Sequence, residues 1–338
     1  MNHDRTDPQR ADRDSDDDRT ADDLTDPQRA AGDGDRTADD LIDPQRASGD
    51  GDRTADDLTD PQRAADGRRD ETHDVAALLA VALRVTTEAA RLAAARRAEG
   101  VEVADTKSSV VDVVTHTDRE VEAFLRDRLA ELRPGDGFFG EEGDPDDSST
   151  GLTWVVDPID GTVNFLYGIP QWAVSVAVVE GGPDPLTWTA LAACVVNPLS
   201  GEVFTASRGG GARLGEAPLV PSAPASLAES LFATGFSYDS GRRVEQAAVL
   251  GRLIGRVRDL RRLGAASLDL CAVAAGRLDV YAERGLKPWD HAAGVLIAQE
   301  AGVVVHGEAG AAASGELVVA AAPGIAADAD ALLADAGF

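Results

Sequence analysis

The sequence predicts an α/β protein in which an α+β half is followed by an α/β half, the two packed as layers. Three observations lead there. Two helical patterns are followed by four apolar runs of strand length, 152–157, 172–180, 187–196 and 202–206. Beyond Pro221 strand and helix patterns alternate to the end of the chain. The first 70 residues share neither feature, so the fold is expected within residues 71–338, with subhalves at about 71–222 and 223–338.

Residues 1–70 contain no Phe, Trp or Tyr, and their large aliphatic residues are Leu24, Leu41, Ile42 and Leu58. Such a segment cannot bury enough apolar surface to offset its ordering entropy, and disorder is expected. It is built on a 17-residue repeat: Asp18–Gly34, Asp35–Gly51 and Asp52–Gly67 are near-copies, with a partial copy at Asp4–Ala11. One or two aliphatic positions per unit cannot make a solenoid core, which points to a duplicated tract or an acidic spacer. A start near Val75, with the repeats untranslated, is a further hypothesis that the intact mass of the native protein tests.

In the remainder, Val75–Arg97 has helical apolar spacing. Thr117 is expected to cap a helix from Asp118 to Leu132, with Glu120 completing a capping box and Pro134-Gly135 ending it. Gly137–Gly140 reads as a short strand leading to Glu141-Glu142. The glycines of Arg208-Gly209-Gly210-Gly211 form a hairpin connection rather than a phosphate loop, because no helix and no Lys-Ser/Thr follows. Then come a strand at 231–235, a helix at 242–254, a strand at 257–263, a helix at 265–275 and a strand at 278–283. A helix at 289–301, strands at 303–306 and 317–321 and a helix at 325–336 complete the pattern.

The formal net charge of −28 argues against nonspecific binding to nucleic acid or to an anionic membrane. Cys194 and Cys271 each lie in an apolar run and read as buried free thiols. The N-terminus shows no signal-like apolar segment and no run of about 18 apolar residues occurs, so a cytoplasmic location is expected.

The densest chemistry is Asp157-Pro158-Ile159-Asp160-Gly161-Thr162, directly after the apolar run 152–156. Asp-Pro and Asp-Gly read as a strand breaking into a turn. Two carboxylates and the Ile159 carbonyl then meet at a strand end, an oxygen-rich cluster suited to a hard cation such as Mg²⁺. Glu141 follows a strand, Asp118 starts a helix and Asp290 opens another.

Together, Lys107-Ser108-Ser109 through Asp118, Gly140-Glu141-Glu142, Trp154 through Thr162 with Asn164-Phe165, and Trp289-Asp290 with Ala293-Gly294 resemble the inositol monophosphatase family of lithium-sensitive, Mg²⁺-dependent phosphomonoesterases. The resemblance covers residues 75–338 and implies a layered α-β-α-β-α sandwich, often a homodimer. It implies two to three Mg²⁺ ions. Glu141, Asp157 and the Ile159 carbonyl would hold the first, Asp157, Asp160 and Asp290 the second, and Glu141 would face a weaker third. Asp118 and Thr162 would pair beside the nucleophilic water, with Glu141 also counted in the catalytic set. Gly161 and Thr162 amides would cradle the phosphate, Ala266 would make a backbone contact to substrate, and Glu283 would bind substrate hydroxyls.

Val110 stands where many relatives have Pro, so a looser Lys107 loop is expected. Lys107 and Lys287 are candidate substrate contacts, although a solvated loop lysine is the simpler reading of Lys287. His116 reads as a surface or supporting residue rather than a ligand. The expected reaction is hydrolysis of a small phosphorylated metabolite, with inositol 1-phosphate leading. Histidinol phosphate, fructose 1,6-bisphosphate and 3′-phosphoadenosine 5′-phosphate are alternatives. An expectation of another class is a quiet phosphatase scaffold that binds a partner through the acidic tail.

Overall fold

A computed structural model describes residues 73–100, 103–106 and 113–338. The repeat tract, the disorder expected of residues 1–70 and the Lys107 loop with Val110 lie outside the described residues.

The first helix, α1 (Val75–Glu99), starts where Asp74 accepts the Ala77 amide at 3.0 Å. Its buried stripe of Leu78, Ala82, Val85, Ala89 and Ala93 recurs at helical spacing. Arg96 and Arg97 stand in its last turn, where cations complement the helix dipole. The Arg96 guanidinium grips Glu120 through two 2.7 Å bonds and so ties α1 to the next helix.

A short antiparallel pair, β1 (Val103–Thr106) and β2 (Val113–Thr115), leads into α2 (His116–Leu132). The cap is Thr115, not Thr117, and Asp118, not Glu120, closes the capping box. The chain leaves β2 in extended conformation at Thr115, so the helix starts two residues earlier than the pattern implied. Glu120 is spent on Arg96 instead.

The larger sheet has seven strands in sequence order: β3 (Gly137–Gly140), β4 (Leu152–Asp160), β5 (Ala173–Glu180), β6 (Thr189–Asn197), β7 (Glu202–Ser207), β8 (Gly211–Leu214) and β9 (Ala217–Pro218). Only β3 and β4 run parallel; every other neighbour is antiparallel. The hairpin between β7 and β8 holds the glycines, and the Glu300 carboxylate accepts the Gly209 and Gly211 amides. An internal anion thus fills the one nest that could be mistaken for a phosphate loop.

The smaller sheet orders β11 (Asp259–Arg261), β10 (Leu231–Ala233), β12 (Val280–Glu283), β14 (Val318–Ala321) and β13 (Val304–His306). Its first three strands are parallel and the last two joins antiparallel. Four further helices serve the two sheets: α4 (Ser240–Leu253), α5 (Ala266–Ala274), α6 (Pro288–Glu300) and α7 (Ala326–Ala336), while a short α3 (Thr162–Tyr167) follows β4.

Side-chain alternation makes the layers. Val174, Val176 and Val178 of β5 pack with α1 and α2, whereas Ala173, Ala177 and Val179 face α5 and α6. In the smaller sheet Tyr281, Val318 and Ala320 join that same central core, and Val280, Ala282, Val319 and Ala321 face α4 and α7. The order is therefore helices, sheet, helices, sheet, helices, an α-β-α-β-α sandwich. Among the described residues no helix is long and apolar enough to cross a membrane. Both cysteines are buried and unpaired, and burial pushes the Cys194 thiol up to about 12.

Trp154 anchors β4, the strand that carries the acidic turn. It is 1% exposed, and its indole N–H donates to Asp136 at 2.9 Å. Trp154→Ala is expected to lower unfolding stability by about 3–5 kcal/mol through the cavity it leaves. Denaturant melts of the two proteins check this, and a loss under about 1 kcal/mol would show that the site collapses around the gap.

Candidate active site

The strand does not break at Asp157; β4 runs on to Asp160. Asp157 pairs with Ser175 and Asp160 with Ala173, so three steps on β4 oppose two on β5. This bulge, built around a Pro that has no N–H to donate to the ladder, re-aims the two carboxylates. The turn follows at Gly161, whose φ of +91° favours glycine. A Cβ there would also stand 3.0 Å from the Gln171 carbonyl and 3.1 Å from that of Gly264.

The parallel register of β3 and β4 sets Gly140 opposite Val156, so Glu141 leaves its strand beside Asp157. The Phe139 and Trp289 rings meet edge-on at 5.2 Å and hold the start of α6 against β3. Asp290 is the third residue of α6, and one of its oxygens accepts the Lys287 amide at 2.6 Å. Asp160 reaches α5: Oδ1 accepts the Ala266 amide at 3.1 Å, and Oδ2 accepts the amide and hydroxyl of Ser267. Thus Glu141, Asp157, Asp160 and Asp290 come from two strand ends and one helix start, and a second helix start buttresses them.

Their electrostatics are those of crowded like charges. Asp157 is pushed well above the usual carboxylate range by burial and then by Glu141, Asp160, Asp290 and Asp118. Burial, Glu141 and Asp160 do the same to Asp290. Asp160 rises to about 6 through burial, against the lowering effect of its Ser267 and Ala266 hydrogen bonds. Among the described residues no Lys or Arg pairs with Asp157, Asp160 or Asp290. Nor is any trio of His, Cys, Asp or Glu among them drawn tightly enough to close around a single ion. Backbone amides occupy some of the carboxylate oxygens: one oxygen of Asp157 accepts the Ile159 amide at 3.0 Å. The set is nonetheless oxygen-only and short of positive charge, which is the donor chemistry a hard divalent cation requires.

Asp118 lies beside this group, fully buried at the start of α2. Its Oδ2 accepts the Thr115 amide and hydroxyl, and its Oδ1 accepts the Thr162 hydroxyl at 3.2 Å. Thr162 Oγ1 also lies 3.1 Å from the Ile159 carbonyl. Burial raises Asp118 to about 6, opposed by the Thr115 hydrogen bonds. The Ala266 N–H is already donated to Asp160. Glu283 sits at the end of β12, where Tyr281 donates to it at 2.6 Å and burial lifts it to about 7. Gly235 makes room for that carboxylate, since any Cβ there would collide with it.

Lys287 is exposed, and His116 is exposed on the first turn of α2. Sequence reasoning gave no role to Asn164, whose buried amide donates to Gln171 O at 2.7 Å and Leu263 O at 2.8 Å. It ties α3 to the segment that enters α5. A polar residue inside the apolar stretch 163–166 was the available signal. Glu122 was also overlooked: buried, it accepts the Glu142 amide at 2.6 Å and so steadies the loop that carries Glu141.

A model of the inositol monophosphatase family matches residues 73–336. The chain is 46% identical over 282 residues to the inositol-1-monophosphatase of Mycobacterium leprae, which covers 78% of this chain and 94% of that one. It is 38% identical over 225 residues to a Vibrio cholerae protein named Nus factor SuhB, covering 65% of this chain and 82% of that protein. Among solved structures, Mycobacterium tuberculosis SuhB superposes with a TM-score of 0.65 at 44% identity, over 77% of this chain and 97% of the other. The inositol monophosphatase of Anabaena gives 0.68 at 26% identity, over 78% and 97%. The shared fold and the extent of these matches place this chain in the inositol monophosphatase family, a family of phosphoric monoester hydrolases.

Proposed function

We propose that this protein hydrolyses small phosphate monoesters in a magnesium-dependent reaction, with inositol 1-phosphate the leading monophosphate substrate. The observation that carries the reading is the convergence of Glu141, Asp157, Asp160 and Asp290 at one end of the larger sheet, with no basic partner for the three aspartates among the described residues and with Asp118–Thr162 beside them. Glu141, Asp157 and the Ile159 carbonyl would hold one Mg²⁺, Asp157, Asp160 and Asp290 a second, and Glu141 would face a weaker third. Magnesium bound there would neutralise the phosphate dianion, acidify water and stabilise the departing alkoxide.

The chain's own residues do the rest. The Thr162 hydroxyl, which donates to Asp118 at 3.2 Å, would take a proton from the attacking water and pass its own to the carboxylate. Backbone amides of Gly161 and Thr162, at the turn into α3, would face phosphate oxygens. Glu283, lifted to about 7, would accept or donate hydrogen bonds to polyol hydroxyls. Both oxygens of Asp160 carry hydrogen bonds from α5, one on Oδ1 and two on Oδ2, so a cation would meet this carboxylate through Oδ1.

Phosphate release by the full chain tests the reading. Inositol 1-phosphate is expected to be turned over with a kcat/KM at least about tenfold above that for histidinol phosphate, about 1.4 kcal/mol in transition-state binding. Chelation should abolish release and added Mg²⁺ should restore it. Release that persists after exhaustive chelation would overturn the metal requirement, and no release from any ester would favour the quiet scaffold.

A further inference from the structure

The stretch Asp160–Asn164 and the stretch Leu263–Ser267 are distant in the chain, with 99 residues from Asn164 to Leu263, and they grip each other at both ends. At one end Asp160 accepts: its oxygens take the Ala266 amide at 3.1 Å and the Ser267 amide at 2.7 Å. At the other end Asn164 donates: its Nδ2 lies 2.7 Å from the Gln171 carbonyl, 2.8 Å from that of Leu263 and 3.4 Å from that of Gly264. An amide nitrogen carries two hydrogens, so Gln171 and Leu263 take the good bonds and Gly264 a weak share. Thr162 sits midway between the two gripping side chains, with its hydroxyl on Asp118.

The middle of the grip is packed backbone to backbone. A Cβ on Gly161 would stand 3.0 Å from the Gln171 carbonyl and 3.1 Å from that of Gly264, two of the three carbonyls that Asn164 gathers. A Cβ on Gly264 would in turn stand 3.1 Å from Asn164 Nδ2. The Asn164 amide therefore holds together the walls of the Gly161 turn. Asn164 is buried, so removing its donors would leave carbonyls facing one another in a low dielectric. Gly161 and Gly264 also line a cavity of about 500 Å³ that takes in Arg243 and Arg262, so the same grip shapes the space beside the turn.

We infer that Asn164 is a positioning residue for the reaction: together with Asp160 it clamps the chain between them onto the segment that enters α5, and so fixes the Thr162 hydroxyl and the Gly161 turn. It acts through Thr162 and Gly161 rather than on the substrate. The inference rests on the hydrolytic reading above.

Asn164→Leu keeps the size of the side chain and removes both donors. In the full chain kcat is expected to fall by about a hundredfold with KM changed only a few-fold, as a displacement of about 1 Å costs a catalytic group. Asn164→Ser keeps one donor and should lose less; should the leucine variant fail to fold, the serine variant carries the same comparisons. Leu332→Ala, in the outer core of the smaller sheet, gives a destabilised protein whose clamp is untouched, and it should keep the wild-type kcat below its melting temperature. A second readout needs no turnover. In chelator, amide hydrogen exchange of residues 161–168 and 263–267 should quicken together by about tenfold or more in the Asn164 variants, relative to the rest of the chain. Asn164 variants with the kcat of Leu332→Ala, or with neither or only one of the two segments loosened, would overturn the inference. If wild-type protein hydrolyses no ester, the hydrolytic reading fails separately, and exchange at the two segments decides the clamp.

Discussion

Asp290→Asn is expected to lower phosphate release by about a thousandfold or more, since a lost metal ligand forfeits several kcal/mol of transition-state stabilisation. The same substitution should leave the metal-free fold intact or make it more stable. Burial and the neighbouring Glu141, Asp160 and Glu283 carboxylates push Asp290 well above the usual carboxylate range, and Asn keeps an oxygen for the Lys287 amide. The sign follows from linkage. A carboxyl whose folded pKa is raised favours the fold when protonated, so its contribution is present at low pH and is lost as pH rises through the folded value. Asp118 and Asp160 lie at about 6, against ordinary values of 3.8. Metal-free wild-type protein should therefore lose stability between about pH 4 and pH 6 and beyond, and Asp290→Asn should lose less. Added Mg²⁺ should restore the wild type at pH 7 far more than the variant, through binding to the folded state alone. Thermal melts in chelator and in Mg²⁺, with turnover on the same samples, measure all of this. Turnover near that of wild type would remove Asp290 from the metal set.

The second large effect is expected at Thr162. Thr162→Val keeps the shape of the side chain and removes the hydroxyl that donates to Asp118 and lies beside the Ile159 carbonyl. General acid–base help is worth about 10²–10⁴ in rate, and kcat should fall by that order with KM changed only a few-fold. The buried Asp118 carboxylate would also lose one donor, at a cost of about 1–3 kcal/mol. It keeps the amide and hydroxyl of Thr115, so the protein still folds. Asp118→Asn should slow the reaction similarly. A variant whose KM rises while kcat is held would instead make Thr162 a phosphate-binding residue with no part in the proton step.

The elements of this fold were legible because their periods are strong. The stripe of α1, the largely apolar β4 to β6 and the strand–helix alternation after Pro221 stand in the sequence as repeating patterns, and the structure follows them within a few residues. Boundaries set by non-local contacts were not legible. The start of α2 moved to Thr115 because the preceding β2 holds that residue extended, and β4 ran past Asp157 because β5 offers partners as far as Ala173. The acidic residues stood out as motifs, and their resemblance to one family pointed to a common centre.

By itself, then, the sequence determined which residues carry charge at strand ends and helix starts, and which faces are apolar, since both are local properties of pattern and turn chemistry. Only the tertiary structure decided how those charges meet. The parallel register of β3 on β4 sets Glu141 beside Asp157, and Asp160 spans over a hundred residues to cap α5. Gly161 and Gly264, equally distant in the chain, press together where Arg262 and Arg243 face one cavity. Sheet register, helix docking and the desolvation that follows depend on every layer packing at once, and no window of sequence contains them.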